Sequence, residues 1–341
     1  MTEYIDLRSD TVTKPTKEML EFMMSAEVGD DVFGEDVTVQ KLEKKLADML
    51  GMEAGLFCPS GTMTNQIAIK VHTQPGEEVI CEASSHIFKY EVGGIAFHSG
   101  CQAYTLQGHY GKITAEQVLK AIRLEDIHQP KTSLVCLENT ANRGGGSCYD
   151  WEEILKIKKV CEQNHLKLHL DGARFFNAIV ATQQNPVDYG KVFDSISICL
   201  SKSLGAPVGS VLLGNKDFIK KARKYRKLFG GGMRQAGYLA AAGIYALDHH
   251  IHRLEQDHHH AQIIAEALQK SHFVQSIFPV QTNIIIFEVK PNTSAFEIVY
   301  KLKENQILCS PIDEKHIRMV THLNISEGMV EKIVKTIITL L

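Results

Sequence analysis

One stretch decides the fold: Leu168-His169-Leu170-Asp171-Gly172-Ala173-Arg174. Its short apolar run is typical of a buried strand, and the carboxylate of Asp171 follows directly. A side chain that follows a parallel strand lies at the carboxyl edge of the sheet, where open α/β sheets bind their ligands. The alternative is an Asp that merely caps the next helix. The stretch therefore predicts an α/β fold with a ligand site beside Asp171.

A second apolar stretch, residues 195–199, leads into Ser201-Lys202-Ser203, so that a lysine follows the next predicted strand. A lone lysine is usually a solvated charge, but small residues flank this one at the predicted edge of the sheet. We therefore expect Lys202 to lie near Asp171.

A third segment, Pro59-Ser60-Gly61-Thr62-Met63, precedes a helix predicted over residues 62–71. Open backbone N–H groups at a helix start favour an anion, and Ser60 and Thr62 add hydroxyl donors. Ser-Gly-Thr is also an ordinary helix cap. Together with Asp171 and Lys202, however, the segment meets the needs of pyridoxal phosphate: a phosphate cradle, a carboxylate for the ring nitrogen and a lysine for a Schiff base.

Composition restricts the class of protein. In 341 residues, 37 Lys and Arg face 40 Asp and Glu, and this balance provides no basic field for nucleic acid or anionic lipid. No apolar run approaches the ~20 residues of a membrane span, and residues 1–6 are too acidic for a signal peptide. The eight cysteines form no C-x-x-C pair and are typical of buried thiols in a reducing compartment. We expect a cytoplasmic enzyme that acts on a small molecule, without nucleic-acid or membrane partners.

Alternating short strands and helices extend over most of the chain. Helices are predicted over residues 38–50, 62–71, 151–163, 235 to about 270, and 296–304, and strands over residues 78–81, 133–138, 167–170, 195–199, 210–213, 283–289 and 316–320. The order indicates a largely parallel sheet followed by a smaller C-terminal unit. The domain boundary falls in the helical stretch, and we divide the chain into residues 1–248 and 249–341.

The sequence resembles the low-specificity L-threonine aldolases, pyridoxal-phosphate enzymes of fold type I. The matching stretches follow in order over nearly the whole chain, at residues 6–13, 28–36, 59–63, 85–88, 138–140, 171–174, 200–202, 206–210, 230–237 and 317–322. The resemblance implies a mainly parallel seven-stranded sheet in a large domain and a small α+β C-terminal domain. It also implies a homotetramer whose subunits share their active sites.

The resemblance also implies roles for individual residues. Those expected to contact the cofactor are Ser60, Gly61, Thr62, His86, Asp171, Arg174, Lys202 and Arg234, the last from a neighbouring subunit. Lys202 would bond to the cofactor, and the candidate proton acceptors are His86, His128 and a water. The substrate carboxylate would contact Arg318 and Ser9. Lys227 matches an active-site lysine of the family, although its sequence context is a basic helix with a solvated face (residues 220–227).

The implied activity is retro-aldol cleavage of L-threonine or L-allo-threonine to glycine and an aldehyde. Phe33 stands where the family commonly has tyrosine and Ala141 where it has histidine, which leaves the substrate preference open. The alternatives are another pyridoxal-phosphate β-eliminating lyase and a non-catalytic homologue. No metal is expected: the histidines at positions 249, 250, 252, 258, 259 and 260 indicate a polar helix face, because adjacent helical side chains diverge by about 100°.

Overall fold

The computed structural model describes residues 4–339, so residues 1–3 of the segment considered as a signal peptide lie outside the described residues. The strands are β1 (Ile5–Asp6), β2 (Ala54–Cys58), β3 (Glu78–Glu82), β4 (Gln102–Leu106), β5 (Thr132–Glu138), β6 (Lys167–Gly172), β7 (Ser195–Cys199), β8 (Ser210–Gly214), β9 (Val274–Ile277), β10 (Ile284–Val289), β11 (Ile307–Leu308), β12 (Ser310–Pro311) and β13 (His316–Val320).

The helices alternate with these strands through most of the chain. They are α1 (Lys17–Met24), α2 (Val37–Leu50), α3 (Gly61–His72), α4 (His86–Lys89), α5 (Gly94–Ser99), α6 (Ala115–Ala121), α7 (Trp151–Gln163), α8 (Phe175–Thr182), α9 (Pro186–Val192), α10 (Lys216–Leu228), α11 (Gly237–His249), α12 (Leu254–Gln269), α13 (Ala295–Glu304) and α14 (Glu327–Thr339). In the part of the chain that the structure describes, none is long and apolar enough to cross a membrane.

The larger sheet has seven strands in the order β2-β8-β7-β6-β5-β3-β4. Neighbours from β7 to β4 pair in parallel, whereas β8 runs antiparallel to both β7 and β2. Six of the seven strands therefore point the same way and bring their carboxyl ends to one edge. This confirms the predicted mainly parallel seven-stranded sheet.

Helices cover both faces of this sheet. Alternation along β6 puts Leu168 and Leu170 into one hydrophobic core, with α2 and α7. The same alternation directs His169 and Asp171 toward α3 on the other face, where both hydrogen-bond to Asn65. The face that carries the chemistry is thus the face covered by α3.

The C-terminal residues form a second sheet with its own hydrophobic core. The order is β12-β13-β10-β9, every pair is antiparallel, and α12, α13 and α14 pack against it. The N-terminal strand β1 pairs in parallel with β11 of this unit, and the chain then enters the large unit at a 3₁₀ turn, Asp10–Val12. The boundary between residues 248 and 249 stays a prediction.

The helix predicted from residue 235 to about 270 is wrong as a single element. It is two helices, because residues 250–253 leave the helical path between α11 and α12. The histidines of this region are also less solvated than predicted. His250 and His260 are buried, and Nδ1 of His250 donates to the carbonyl oxygen of Leu204 at 2.7 Å. This contact joins the end of α11 to the loop that carries Lys202.

Candidate active site

The three segments singled out in the sequence meet at the carboxyl edge of the large sheet. Asp171 stands at the end of β6 and Lys202 follows β7 by three residues. A Cβ placed on Gly61, at the start of α3, would lie only 2.7 Å from Sγ of Cys199, the last residue of β7. The helix start therefore sits directly against the strand that leads to Lys202.

The start of α3 has the form of an anion cradle. Ser60 is the N-cap, and its Oγ accepts a hydrogen bond from the backbone N–H of Met63 at 3.2 Å. Ser60 and Thr62 are exposed, so their hydroxyl groups and the neighbouring N–H groups can reach a ligand. Any side chain at Gly61 would collide with Cys199, which explains why glycine stands there.

Asp171 is buried and is held in place by two hydrogen bonds that it accepts, which leave acceptor capacity on its carboxylate. Its Oδ1 accepts from the backbone N–H of Ala173 at 3.0 Å, and its Oδ2 accepts from Nδ2 of Asn65 at 2.9 Å. A carboxylate held in this way suits the protonated nitrogen of a pyridine ring.

Arg174 has a partner that sequence reasoning missed. Its guanidinium donates from Nε and Nη2 to the two carboxylate oxygens of Asp10, at 2.7 and 2.6 Å, and both side chains are buried. Burial alone would raise the pKa of Asp10, but the charge and hydrogen bonds of Arg174, with a contribution from Lys202, hold that pKa well below its usual range. The only signal in the sequence was a carboxylate within Ser9-Asp10-Thr11. The expected contact of Arg174 with the cofactor stays a prediction.

Lys202 lies half-buried in a tight turn after β7. The turn closes through the N–H of Gly205, which donates to the carbonyl oxygen of Lys202 at 2.8 Å. The adjoining hydroxyl of Ser203 donates to Asp10 at 2.8 Å, and this contact fixes the loop against the Arg174 pair. Among residues 4–339 the amine of Lys202 has no hydrogen-bond partner, so it remains available to a ligand.

His86 begins α4 beside Asp171. Its backbone N–H donates to Glu138 at 2.6 Å, and its Nδ1 lies 2.9 Å from Oε1 of Glu91, a buried carboxylate that sequence reasoning did not identify. Burial lowers the pKa of His86, but the hydrogen bond with Glu91 and the charge of Asp171 outweigh it, so the net shift is upward.

Ligand atoms of His86, Glu91 and Asp171 lie within 4.8 Å of one another, a separation that a metal ion could bridge. Nδ2 of Asn65 already donates to both carboxylates, at 2.9 Å each. Hydrogen bonds therefore join this cluster without a cation.

Arg318 extends from β13 of the C-terminal sheet and has no carboxylate partner in the described part of the chain. Within residues 4–339, its Nε is buried without a hydrogen bond, and so is Nε of Arg143, whose guanidinium lies 4.9 Å from the ring centre of Tyr90. Burial, together with the charges of Arg174 and Arg143, lowers the pKa of Arg318 to about 10, so it remains a cation at neutral pH. Such a desolvated, unpaired guanidinium suits a substrate carboxylate. Ser9, next to Asp10, caps the 3₁₀ turn nearby.

The remaining three predicted site residues are exposed. His128 is exposed in the loop before β5, at the amino edge of the sheet, and hydrogen-bonds to Asp126. Arg234 forms an ion pair with Asp30 at 2.9 Å, and Lys227 is exposed on α10. Within one chain His128 cannot reach Lys202, because the two residues lie at opposite edges of the sheet.

The solvated face predicted for the basic helix is wrong for one residue. Arg226 is 2% exposed, and it donates to the carbonyl oxygen of Phe57 at 2.7 Å and to Asp31 at 2.6 Å. α10 packs against β2, and this contact puts Arg226 in the interior.

Comparisons with known proteins agree with this geometry. The model of a family described as beta-eliminating lyase matches residues 6–291. The low specificity L-threonine aldolase of Escherichia coli is 41% identical over 331 residues, which cover 96% of this chain and 97% of that protein. Low-specificity L-threonine aldolase 1 of Arabidopsis thaliana is 42% identical over 329 residues, 94% of this chain and 92% of that protein. The solved structure of Leishmania major threonine aldolase has a TM-score of 0.85 at 22% identity, covering 98% of this chain and 99% of that one, and shares the fold.

Proposed function

The chain belongs to the beta-eliminating lyase family and, within it, to the low-specificity L-threonine aldolases; from that premise we propose that it cleaves L-threonine and L-allo-threonine to glycine and acetaldehyde. The observation that carries the proposal is the meeting of the amine of Lys202, which has no partner among residues 4–339, with the buried carboxylate of Asp171 and the open helix start at Gly61. A binding scaffold would have no use for an amine, that of Lys202, and a guanidinium, that of Arg318, which both lack a partner among residues 4–339.

The residues present fit pyridoxal phosphate, which we propose as the cofactor. Ser60, Gly61 and Thr62 would hold the phosphate, Asp171 would accept a hydrogen bond from the ring nitrogen, and Lys202 would bond to the aldehyde carbon. When bound, this group would supply an electron sink for the electron pair left on the substrate Cα.

Side chains of the active site would orient the substrate. Arg318 would bind the α-carboxylate through two parallel hydrogen bonds, with Ser9 assisting. The buried pair of Asp10 and Arg174 would hold the loop of Lys202 in place through Ser203. Because its carboxylate is fixed, the bound substrate cannot rotate freely. Its Cα–Cβ bond therefore keeps the orientation in which it breaks.

His86 is the residue best placed to accept the β-hydroxyl proton. Since the carboxylate of Glu91 can only accept, Nδ1 of His86 carries the hydrogen between them. In the neutral ring Nε2 then has a free lone pair, which can take the hydroxyl proton as the Cα–Cβ bond breaks. The β carbon becomes the carbonyl carbon of the aldehyde, and a proton added at Cα completes glycine.

The assembly and location are further proposals. His128 lies at the far edge of the sheet, so it can serve only the active site of another subunit, and the exposed guanidinium of Arg234 is accessible to a neighbouring subunit. Both observations support the expected homotetramer. All eight cysteines are free and buried, as is typical of a reducing compartment, which supports the cytoplasm.

The test is release of glycine and acetaldehyde from both substrates, with pyridoxal phosphate added. We expect equal amounts of the two products, loss of both in Lys202→Ala, and no effect of Lys159→Ala, which removes an exposed lysine on α7. Release of ammonia and a keto acid instead would contradict the aldolase proposal in favour of β-elimination. Unchanged cleavage in Lys202→Ala would overturn the assignment of the site.

A further inference from the structure

A chain of buried hydrogen bonds lies beneath the active site, and the proposed reaction does not use it. Its centre is Asn65 on α3, which is 1% exposed. Nδ2 of Asn65 donates to Asp171 and to Glu91, at 2.9 Å each. One amide therefore holds both the carboxylate expected at the cofactor ring and the carboxylate that supports His86.

This series of hydrogen bonds continues away from the active site. Oδ1 of Asn65 lies 3.2 Å from Nε2 of His169, Nδ1 of His169 lies 2.8 Å from Oγ of Ser195, and the same Oγ lies 2.8 Å from Nε2 of His72. His169 is fully buried, and His72 ends α3 stacked on Phe218, with ring centres 4.6 Å apart.

The donor and the acceptor of every hydrogen bond in this series can be assigned by starting from the two carboxylates. Two carboxylates accept from Asn65, so its amide nitrogen faces them and its oxygen faces His169. Nε2 of His169 must then carry a hydrogen. Burial lowers the pKa of His169 to about 3, so the ring is neutral and Nδ1 accepts.

The remaining hydrogens are fixed in turn. The hydroxyl of Ser195 must donate to Nδ1 of His169, and its oxygen accepts from Nε2–H of His72. Burial lowers the pKa of His72 to about 4, so this ring too is neutral. Every donor in the chain therefore points toward the two carboxylates.

We propose that Asn65 and His169 are positioning residues that hold Asp171 and Glu91 in working orientation. A rotated Asn65 amide would bring its oxygen against two carboxylates, and the Nε2–H of His169 opposes that rotation by holding the oxygen on the other side. The proposal rests on the proposed function, since the working orientation is that of an acceptor for the ring nitrogen and of a partner for His86.

The mutational test compares two replacements of His169 in the cofactor-loaded protein. His169→Leu cannot donate to Asn65, whereas His169→Gln places an amide N–H near the position of Nε2. We expect His169→Leu to lower kcat on L-allo-threonine about tenfold and to raise the Kd for pyridoxal phosphate by a similar factor, as for one net hydrogen bond, with KM changed less than about twofold. His169→Gln should restore both quantities to within about threefold of wild type.

Ser197→Ala is the matched control, because it removes another buried hydrogen bond between α3 and β7, that of Ser197 with Thr64 at 2.6 Å. It should leave kcat and cofactor affinity unchanged. Wild-type kcat and affinity in His169→Leu would overturn the inference, and so would equal losses in the leucine and glutamine variants. Failure of the wild type to cleave either substrate would instead contradict the proposed function.

A measurement on the wild-type holoenzyme does not depend on whether the variants fold. With ¹⁵N-labelled histidine, and with the His169 signals assigned by their loss in His169→Gln, NMR should show a protonated Nε2 and a bare Nδ1. Neither shift should change across the pH range in which a free imidazole titrates. A hydrogen on Nδ1 would overturn the inference, because Oδ1 of Asn65 would then face a nitrogen that cannot donate.

Discussion

Acidification should destabilise the fold through one buried side chain, His169, by an amount that follows from its surroundings. The ring is fully buried between α3 and β7, and burial lowers its pKa to about 3. In the unfolded chain the pKa returns to about 6.5. Below pH 6.5 the unfolded imidazole therefore binds a proton that the folded one does not, and the free energy of unfolding falls as the pH falls, until about pH 3.

The two pKa values set the size of the effect. At pH 8 the imidazole of His169 is neutral in both the folded and the unfolded protein, so its titration contributes almost nothing to the free energy of unfolding. At pH 5 the proton stabilises the unfolded chain by about 2 kcal/mol. His169→Gln removes this protonation of the unfolded chain. It also loses the hydrogen bond with Ser195, which lowers the free energy of unfolding by about 1 kcal/mol. The variant should therefore be less stable than wild type by about 1 kcal/mol at pH 8 and more stable by about 1 kcal/mol at pH 5.

Urea denaturation at pH 8 and pH 5 measures this reversal, with equal and saturating pyridoxal phosphate in every sample. The single tryptophan, Trp151, packs on Tyr189 in the core at 4.8 Å between ring centres and reports unfolding by fluorescence. Groups remote from His169 titrate alike in both proteins and cancel in the difference, and His72, whose pKa burial lowers to about 4, is neutral in the folded protein at both pH values. If the stability difference stays constant within about 0.5 kcal/mol between the two pH values, His169 titrates normally in the folded protein and the reasoning fails.

Three further substitutions test the site. Asp10→Asn leaves the guanidinium of Arg174 buried without its counter-ion, and the free energy of unfolding should fall by about 3 kcal/mol in urea titration; a loss below about 1 kcal/mol would contradict a buried pair. Gly61→Val fills the space beside the helix start and should raise the Kd for pyridoxal phosphate at least about tenfold, whereas Gly328→Val, where no atom lies within 4 Å of the added Cβ, should not change it. Arg318→Leu should raise KM for L-threonine about 10- to 100-fold in initial-rate assays, and an unchanged KM would remove Arg318 from carboxylate binding.

The parts of the site that could be predicted are those with a local signature. Asp171 and Lys202 each follow a predicted strand, whose direction places them at one edge, and Gly61 was identified by the start of a helix. Asp10 and Glu91 carry no such signature, because their roles come from partners remote in sequence. Asp10 pairs with a residue 164 positions away, and no periodicity links the two.

The fold shows the same division between local and remote causes. The limits of α7 and β13 were predicted to the residue, since Asp150 caps α7 and the apolar pattern of β13 has clear ends. The break between α11 and α12 was missed because no glycine or proline marks it, and the hydrogen bond from His250 to Leu204 at the end of α11 joins residues remote in sequence. Strand β4 was missed for a different reason: it lies at the edge of the sheet, and its residues are only partly buried.

Charge and shape divide the proposed substrate-binding site into two halves. Arg174 is neutralised by Asp10, which leaves Arg318 as a desolvated cation for the carboxylate that every amino acid carries. Ile286 pairs with Arg318 across β10 and β13, and it also lines an open cavity of about 330 Å³ together with Phe278. The lining of this cavity also includes Lys89, Arg143, Asp313 and His316, so a ligand that extends into it from Arg318 would meet charged as well as apolar side chains. Within the proposed function, the charge of Arg318 selects the amino-acid head group, whereas the open cavity beside Ile286 restricts the rest of the substrate less.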